Sequence, residues 1–179
     1  MANNVQNIIE ITFEKDILVT QFFEKIEKIF KDDESICKLY EGNAEDTRDW
    51  WEKHIGAKWA YIEDFELQKD YCRIILVSAW SSLDPFVEYI DEKTGHTCNI
   101  TFQYIDEMPN FAGYNIREGG KIIEEKDIPD MWELIKEEAE IRKKEENVVF
   151  TEELSEDEWR WEWMWDFIYD TVDPEMNNV

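Results

Sequence analysis

Carboxylates are the first candidates for chemistry, because 44 Asp and Glu against 19 Lys and Arg give this 179-residue chain a formal net charge of -25. Acid–base catalysis needs a pair whose surroundings separate the two pKa values, one raised by burial and one kept low. The clusters Asp32-Asp33-Glu34, Glu137-Glu138 and Glu152-Glu153 sit in polar stretches and read as solvated faces. A calcium loop would alternate Asp and Asn around a Gly, and no segment does so. Phosphate loops, dinucleotide fingerprints and nucleophile elbows are missing, since the lone Gly-Gly, Gly119-Gly120, lacks the required flanks. His54 precedes Lys58 by four residues and stands near Gly56, where a turn could hold a small anion. His96 has no His or Cys at metal spacing, and Cys37, Cys72 and Cys98 contain no C-x-x-C pair. These residues predict reduced, buried thiols, no catalytic group, no metal and no cofactor.

The most unusual local feature is Trp159-Arg160-Trp161-Glu162-Trp163-Met164-Trp165. As a strand it would put four indoles on one face. As a helix it puts Trp159, Trp163 and Phe167 on one stripe, with Trp161, Met164, Trp165, Ile168 and Val172 on a second, roughly opposite one. Ser155 followed by Glu158 is a capping-box signature and favours the helix. Two apolar stripes need two covering surfaces. Either a preceding helix carrying Trp132 and the sheet cover both, or one stripe docks a partner. In the second case Trp161 and Trp165, bordered by Glu152, Glu153, Glu156, Asp157 and Glu158, would meet a surface of basic and apolar character.

The elements that must position these residues follow from periodicity. A hydrophobic content of 43% with 15% aromatics excludes a disordered acidic tail. No apolar run reaches the roughly 18 residues of a membrane helix, and the start of the chain lacks a leader pattern, so a cytoplasmic protein is expected. Ile8–Phe13 alternates as a strand, and Phe22, Phe23, Ile26, Ile29 and Phe30 mark a helix. Residues 36–40 read as a short strand, 41–49 as a loop, and 59–67 with 71–79 as a hairpin. Pro85 opens a helix that ends near Gly95, followed by strands over 98–105 and 110–117. Asp127 and Asp130 can cap a helix with Ile128, Met131, Trp132, Ile135 and Ala139 on one stripe. The order predicts an α+β ferredoxin-like two-layer sandwich over residues 1–125, its mostly antiparallel sheet carrying two helices on one face. Residues 126–179 then form an acidic, Trp-rich helical extension packed on it.

The block Trp50, Trp51, Glu52, Lys53, His54, Ile55, Gly56, Ala57, Lys58, Trp59 resembles the W-x-x-x-N-W-G-T-K-W signature of the YubB-like ferredoxin-domain family of plasmid and phage proteins. Ser78-Ala79-Trp80-Ser81 is similar to that family's T-A-W-S-P segment, and Phe111-Ala112-Gly113-Tyr114 to its F-A-G element. The resemblance covers about residues 7–31 and 50–117 and departs at His54, Ile55 and Ala57. It implies a ferredoxin-like fold and a mobile-element origin. It implies neither an iron–sulfur cluster nor an activity.

Charge and resemblance together lead to the expectation of a non-catalytic phage or plasmid protein that binds and inhibits a basic host protein, of the nucleic-acid-binding defence class. Such a field repels nucleic acid itself. Residues 121–179 carry 20 acidic and 7 basic side chains, against 24 and 12 in residues 1–120, so half the excess lies in the last third. The alternative is a small-ligand or peptide-binding module using His54, Lys58, Trp59, Trp80 and Tyr104 on a sheet face.

Overall fold

The computed structural model describes residues 3–14, 16–40, 47–146, 148, 150 and 155–174. Six strands form one sheet: β1 (Asn4–Phe13), β2 (Ala60–Leu67), β3 (Tyr71–Ala79), β4 (Cys98–Asp106), β5 (Ala112–Glu118) and β6 (Lys121–Ile128). Their spatial order is β2-β3-β1-β4-β5-β6, and every neighbouring pair is antiparallel. The first four strands have the ferredoxin-like order, with α1 (Ile17–Lys31) linking β1 to β2 and α3 (Asp84–Lys93) linking β3 to β4. β5 and β6 extend the sheet as a meander.

Alternation along β1 decides the first face. Val5, Ile9 and Ile11 are fully buried there beside Ile74, Leu76, Ile100 and Phe102. Phe23 and Ile26 of α1, with Phe86, Val87 and Ile90 of α3, close the core from above. Burying one such side chain contributes about 1.5–3 kcal/mol, so this cluster dominates stability. Asp16 starts α1 by accepting hydrogen bonds from the amides of Leu18 at 2.7 Å and Val19 at 3.1 Å.

The second face is covered over only half its width. Ile105, Ala112, Tyr114 and Ile128 of β4–β6 lie under α4 (Met131–Glu145) and α5 (Glu156–Val172), which contribute Met131, Ile135, Ala139, Met164 and Ile168. The two helices expected on one face are α1 and α3, and the expected helical extension supplies α4 and α5 as a layer on the other. Over β1, β3 and β2 the second face stays open, with Ile8 and Ile75 partly exposed and Tyr61 exposed.

Three local expectations are corrected. Residues 36–39 form a 3-10 helix, not a strand, because Ser35 accepts from the Cys37 amide and one tight turn buries Ile36, Cys37 and Leu39 together. Within the expected polar connection, Thr47 caps a short helix, α2 (Arg48–His54), that carries Trp50 and Trp51. Lys121–Ile128 is strand β6, and α4 starts only after Asp130, whose carboxylate accepts from the Glu133 amide at 3.2 Å. The expected boundary at residues 125 and 126 thus falls inside β6.

Both sheet edges are guarded. β2 has a register shift between Ile62 and Asp64, and β6 carries an extra residue, Ile123, opposite the shift between Ile116 and Arg117. Bulges twist an edge away from intermolecular pairing, and Glu63, Asp64, Glu124, Glu125, Lys126 and Asp127 add charge along the same strands. Among the described residues no helix is long and apolar enough to cross a membrane.

Candidate partner-binding surface

α5 is the helix that the indole-rich run makes, opened by the full capping box. Ser155 Oγ accepts from the Glu158 amide at 3.2 Å, and Glu158 accepts from the Ser155 amide at 3.0 Å. That backbone donor, helped by the Ser155 hydroxyl, holds the Glu158 carboxyl below the usual carboxylate range. Residues advance about 100° per step around a helix, so this one has three faces. Trp159 and Trp163 are buried toward α4, with Phe150 edge-on to Trp159 at 5.8 Å. Arg142 of α4 lies 4.7 Å above the Trp163 ring. Met164, Ile168 and Val172 are buried against the sheet. The third face is a row four residues apart, Trp161, Trp165 and Tyr169, of which Trp161 is 55% exposed.

This row borders the open half-face. Tyr61, Val77, Gln6 and Ile105 lie side by side across β2, β3, β1 and β4. They floor a groove of about 280 Å³ that Trp165, Tyr169, Asn4, Glu63 and Glu107 complete. The Tyr169 hydroxyl donates to Gln6 Oε1 at 3.0 Å and so fixes the helix over the strand. Trp59 stacks on Tyr61 with centroids 6.1 Å apart and planes inclined by 13°. Next to the aromatic row on α5 runs a carboxylate row with the same spacing, Glu162, Asp166 and Asp170, all exposed. Among the described residues these three, Glu63 and Glu107 form no ion pair.

The carboxylates singled out from sequence have other partners. Glu152 and Glu153 lie outside the described residues. Glu156 meets Arg160 at 3.2 Å and Lys143 at 3.5 Å, Asp157 meets Arg160 at 3.3 Å, and Glu158 serves the cap. The start of α5 is therefore stapled to itself and to α4, while Trp161 is exposed and Trp165 is half-buried beside the groove. The unpaired carboxylates one turn further on escaped sequence reasoning. Their spacing of four residues beside the row 161-165-169 was the available signal.

The five residues of the alternative ligand site do not come together. His54 packs against Trp50 with centroids 5.0 Å apart, and its carbonyl accepts from the Tyr40 hydroxyl at 2.8 Å. Burial, then the neighbouring Tyr89, pushes the Tyr40 hydroxyl pKa far up, marking this as a packed cluster. Lys58 lies 5.7 Å from the exposed Trp80 ring, and Trp80 has a left-handed backbone with φ of 67°. Trp59 joins the groove through Tyr61. Tyr104 is buried on the first face and donates to Asp127 at 2.9 Å.

The segments that carry the family resemblance have architectural employment. Gly56 has φ of +102°, and a Cβ there would meet Pro85 Cδ at 2.7 Å and the Ser82 carbonyl at 2.8 Å. Ser81 Oγ donates to the Gly56 carbonyl at 2.6 Å, Ser78 Oγ to the Ser81 carbonyl at 2.7 Å, and Asn7 Nδ2 to Ser78 Oγ at 2.8 Å. The first two segments thus lock at the start of α3. Gly113 is required because the Tyr104 ring crosses it on the way to Asp127, and a Cβ would stand 2.4 Å from that hydroxyl.

All three cysteines are buried, and burial raises the thiol pKa of Cys72 and Cys98, so neither is a ready nucleophile. Comparisons of the chain with protein-family profiles, curated proteins and solved structures return no match.

Proposed function

We propose that this chain is a non-catalytic acidic binding protein of phage or plasmid origin that occupies a basic surface of a host protein, of the nucleic-acid-binding defence class, and so inhibits it. The observation that carries the reading is the pair of parallel rows on α5. Exposed aromatic side chains at 161 and 169, with the half-buried Trp165 between them, run beside unpaired carboxylates at 162, 166 and 170. Aromatic anchors inside a charged rim are the composition of a binding hot spot, and the net charge of -25 steers a basic partner toward it.

Magnitudes refine the kind of mimicry. Three carboxylates spaced four residues apart span about 12 Å of helix. Duplex DNA carries roughly seven charges over that length. The α5 face is therefore too dilute to copy a duplex by charge alone, and apolar contact must supply the rest. A small-molecule site in this groove is the weaker reading. The groove of about 280 Å³ is smaller than ligand pockets of roughly 300–1,000 Å³, and the Gln6 carboxamide oxygen is already taken by Tyr169.

The test is affinity capture from a bacterial lysate with stepwise salt elution and quantitative mass spectrometry. The reading expects a small set of high-pI proteins that elute as the screening length shortens. Recovery of neutral or acidic partners, or binding indifferent to salt, contradicts it.

A further inference from the structure

The indoles of α5 are treated differently on its two sides. Toward α4, the Arg142 guanidinium lies 4.7 Å over Trp163 while its Nε donates to Glu138 at 2.7 Å. An arginine thus sits between an indole and a carboxylate, satisfied by both. Toward the open half-sheet the same ingredients recur. Trp165 and Tyr61 wall the groove, Trp161 lies 6.0 Å from Trp165, and Glu63 and Glu107 stand at the rim. Among the described residues the cation is missing, because no Lys or Arg is among those lining that groove.

We infer that the groove receives an arginine side chain from a basic segment of the partner, with its guanidinium against Trp165 and its charge facing Glu63 and Glu107. The inference rests on the reading of this face as a partner-binding surface and names what enters it. Arginine suits the site better than lysine. Its planar, weakly hydrated guanidinium stacks on an aromatic face while its edge stays free for carboxylates, whereas an ammonium is a compact and strongly hydrated charge. The apolar floor of Val77 and Ile105, both buried, accepts the methylene stem. Glu107 keeps its position because Oε1 accepts the Asn4 amide at 2.9 Å.

The test uses the full chain and three blocked peptides of equal length, tri-arginine, tri-lysine and tri-citrulline, followed by heteronuclear NMR. Tri-arginine is expected to shift the Trp165 indole N–H and the Tyr61 and Tyr169 rings in a saturable manner. Tri-lysine should bind more weakly, and tri-citrulline, which keeps the shape without the charge, should leave these signals in place. The double variant Glu63→Gln, Glu107→Gln, checked by circular dichroism to be folded, should weaken tri-arginine at least about fivefold. Shifts scattered over other acidic surfaces, equal binding of citrulline, or a double variant that binds like the parent would overturn the inference. If basic proteins are captured from lysate while Trp165 ignores tri-arginine, the groove inference alone fails. Saturable binding at Trp165 with no basic protein captured means that the proposed function alone fails.

Discussion

Arg142 places its guanidinium carbon 4.7 Å from the centroid of the Trp163 ring. This contact, with Glu138 behind it, joins α4 to α5 on the stripe of the indole-rich helix that faces inward. Trp163 is 8% exposed and Trp161 55% exposed, although they are two residues apart on one helix.

Replacing Arg142 with Ala should lower stability by about 1 kcal/mol, the scale of a partly solvated cation–π contact. Trp163→Ala should cost about 3–5 kcal/mol, as for a large core truncation, while Trp161→Ala should stay within about 0.5 kcal/mol. Urea unfolding of the three variants measures the ranking. Equal losses at 161 and 163 would mean that α5 is rotated from the orientation described.

Gly113→Ala should destabilise the fold by about 1–3 kcal/mol through overpacking, because the new methyl meets the Tyr104 hydroxyl at 2.4 Å and the Lys126 carbonyl at 2.5 Å. Adding Tyr104→Phe removes only the hydroxyl, because the ring carbon Cζ would still stand 2.6 Å from the new methyl. In thermal unfolding Gly113→Ala should therefore still be costly in the Tyr104→Phe background, and a neutral effect there would show that neither the ring carbon nor the Lys126 carbonyl matters.

Asn7 is fully buried and satisfies three groups at once, donating to the Val5 carbonyl and Ser78 Oγ and accepting from the Leu83 amide at 3.1 Å. Asn7→Leu orphans the Leu83 amide at the start of α3, a penalty of roughly 1–3 kcal/mol. Hydrogen exchange should report it as faster opening in α3 and at the end of β3, with little change in α4.

Alkaline pH should weaken the fold through tyrosines. Burial, followed by the bond to Glu124, pushes Tyr114 up to about 12 from 10.0, and burial raises Tyr40, Tyr71 and Tyr104 in the same direction. Neutral tyrosine is favoured in the folded state, so this stability is complete below pH 10 and is lost as pH rises toward and through 12. Ultraviolet titration should show a late-ionising class of tyrosines, and Tyr114→Phe should flatten the alkaline limb of stability against pH.

Strands whose alternation buries one face were legible in sequence, as Ile9, Ile11 and Phe13 show, and so was α5 from Ser155 and Glu158. β6 was not, because Lys121–Ile128 is an edge strand whose bulge and charges erase the period of two. Residues 36–39 misled for the opposite reason, since a short helical turn bearing Ile36, Cys37 and Leu39 mimics alternation. The groove depends on register. That Tyr61, Val77, Gln6 and Ile105 lie side by side is a property of three strand pairings, and no local pattern encodes it. Which carboxylates are free was only partly legible, because Arg160 meets Glu156 as an i,i+4 pair within α5, whereas Lys143 reaches Glu156 only after α4 and α5 pack.

The central claim is that the outer face of α5 binds a basic partner. It is tested most directly by parallel capture with the parent chain and the variant Trp161→Ala, Glu162→Gln, Asp166→Asn, Asp170→Asn, all at exposed positions. Apparent affinity for the captured protein should fall by more than tenfold, about 1.4 kcal/mol or more, and its salt dependence should become shallower while the melting temperature is unchanged. A variant that retains the parent's affinity and salt dependence would contradict the account.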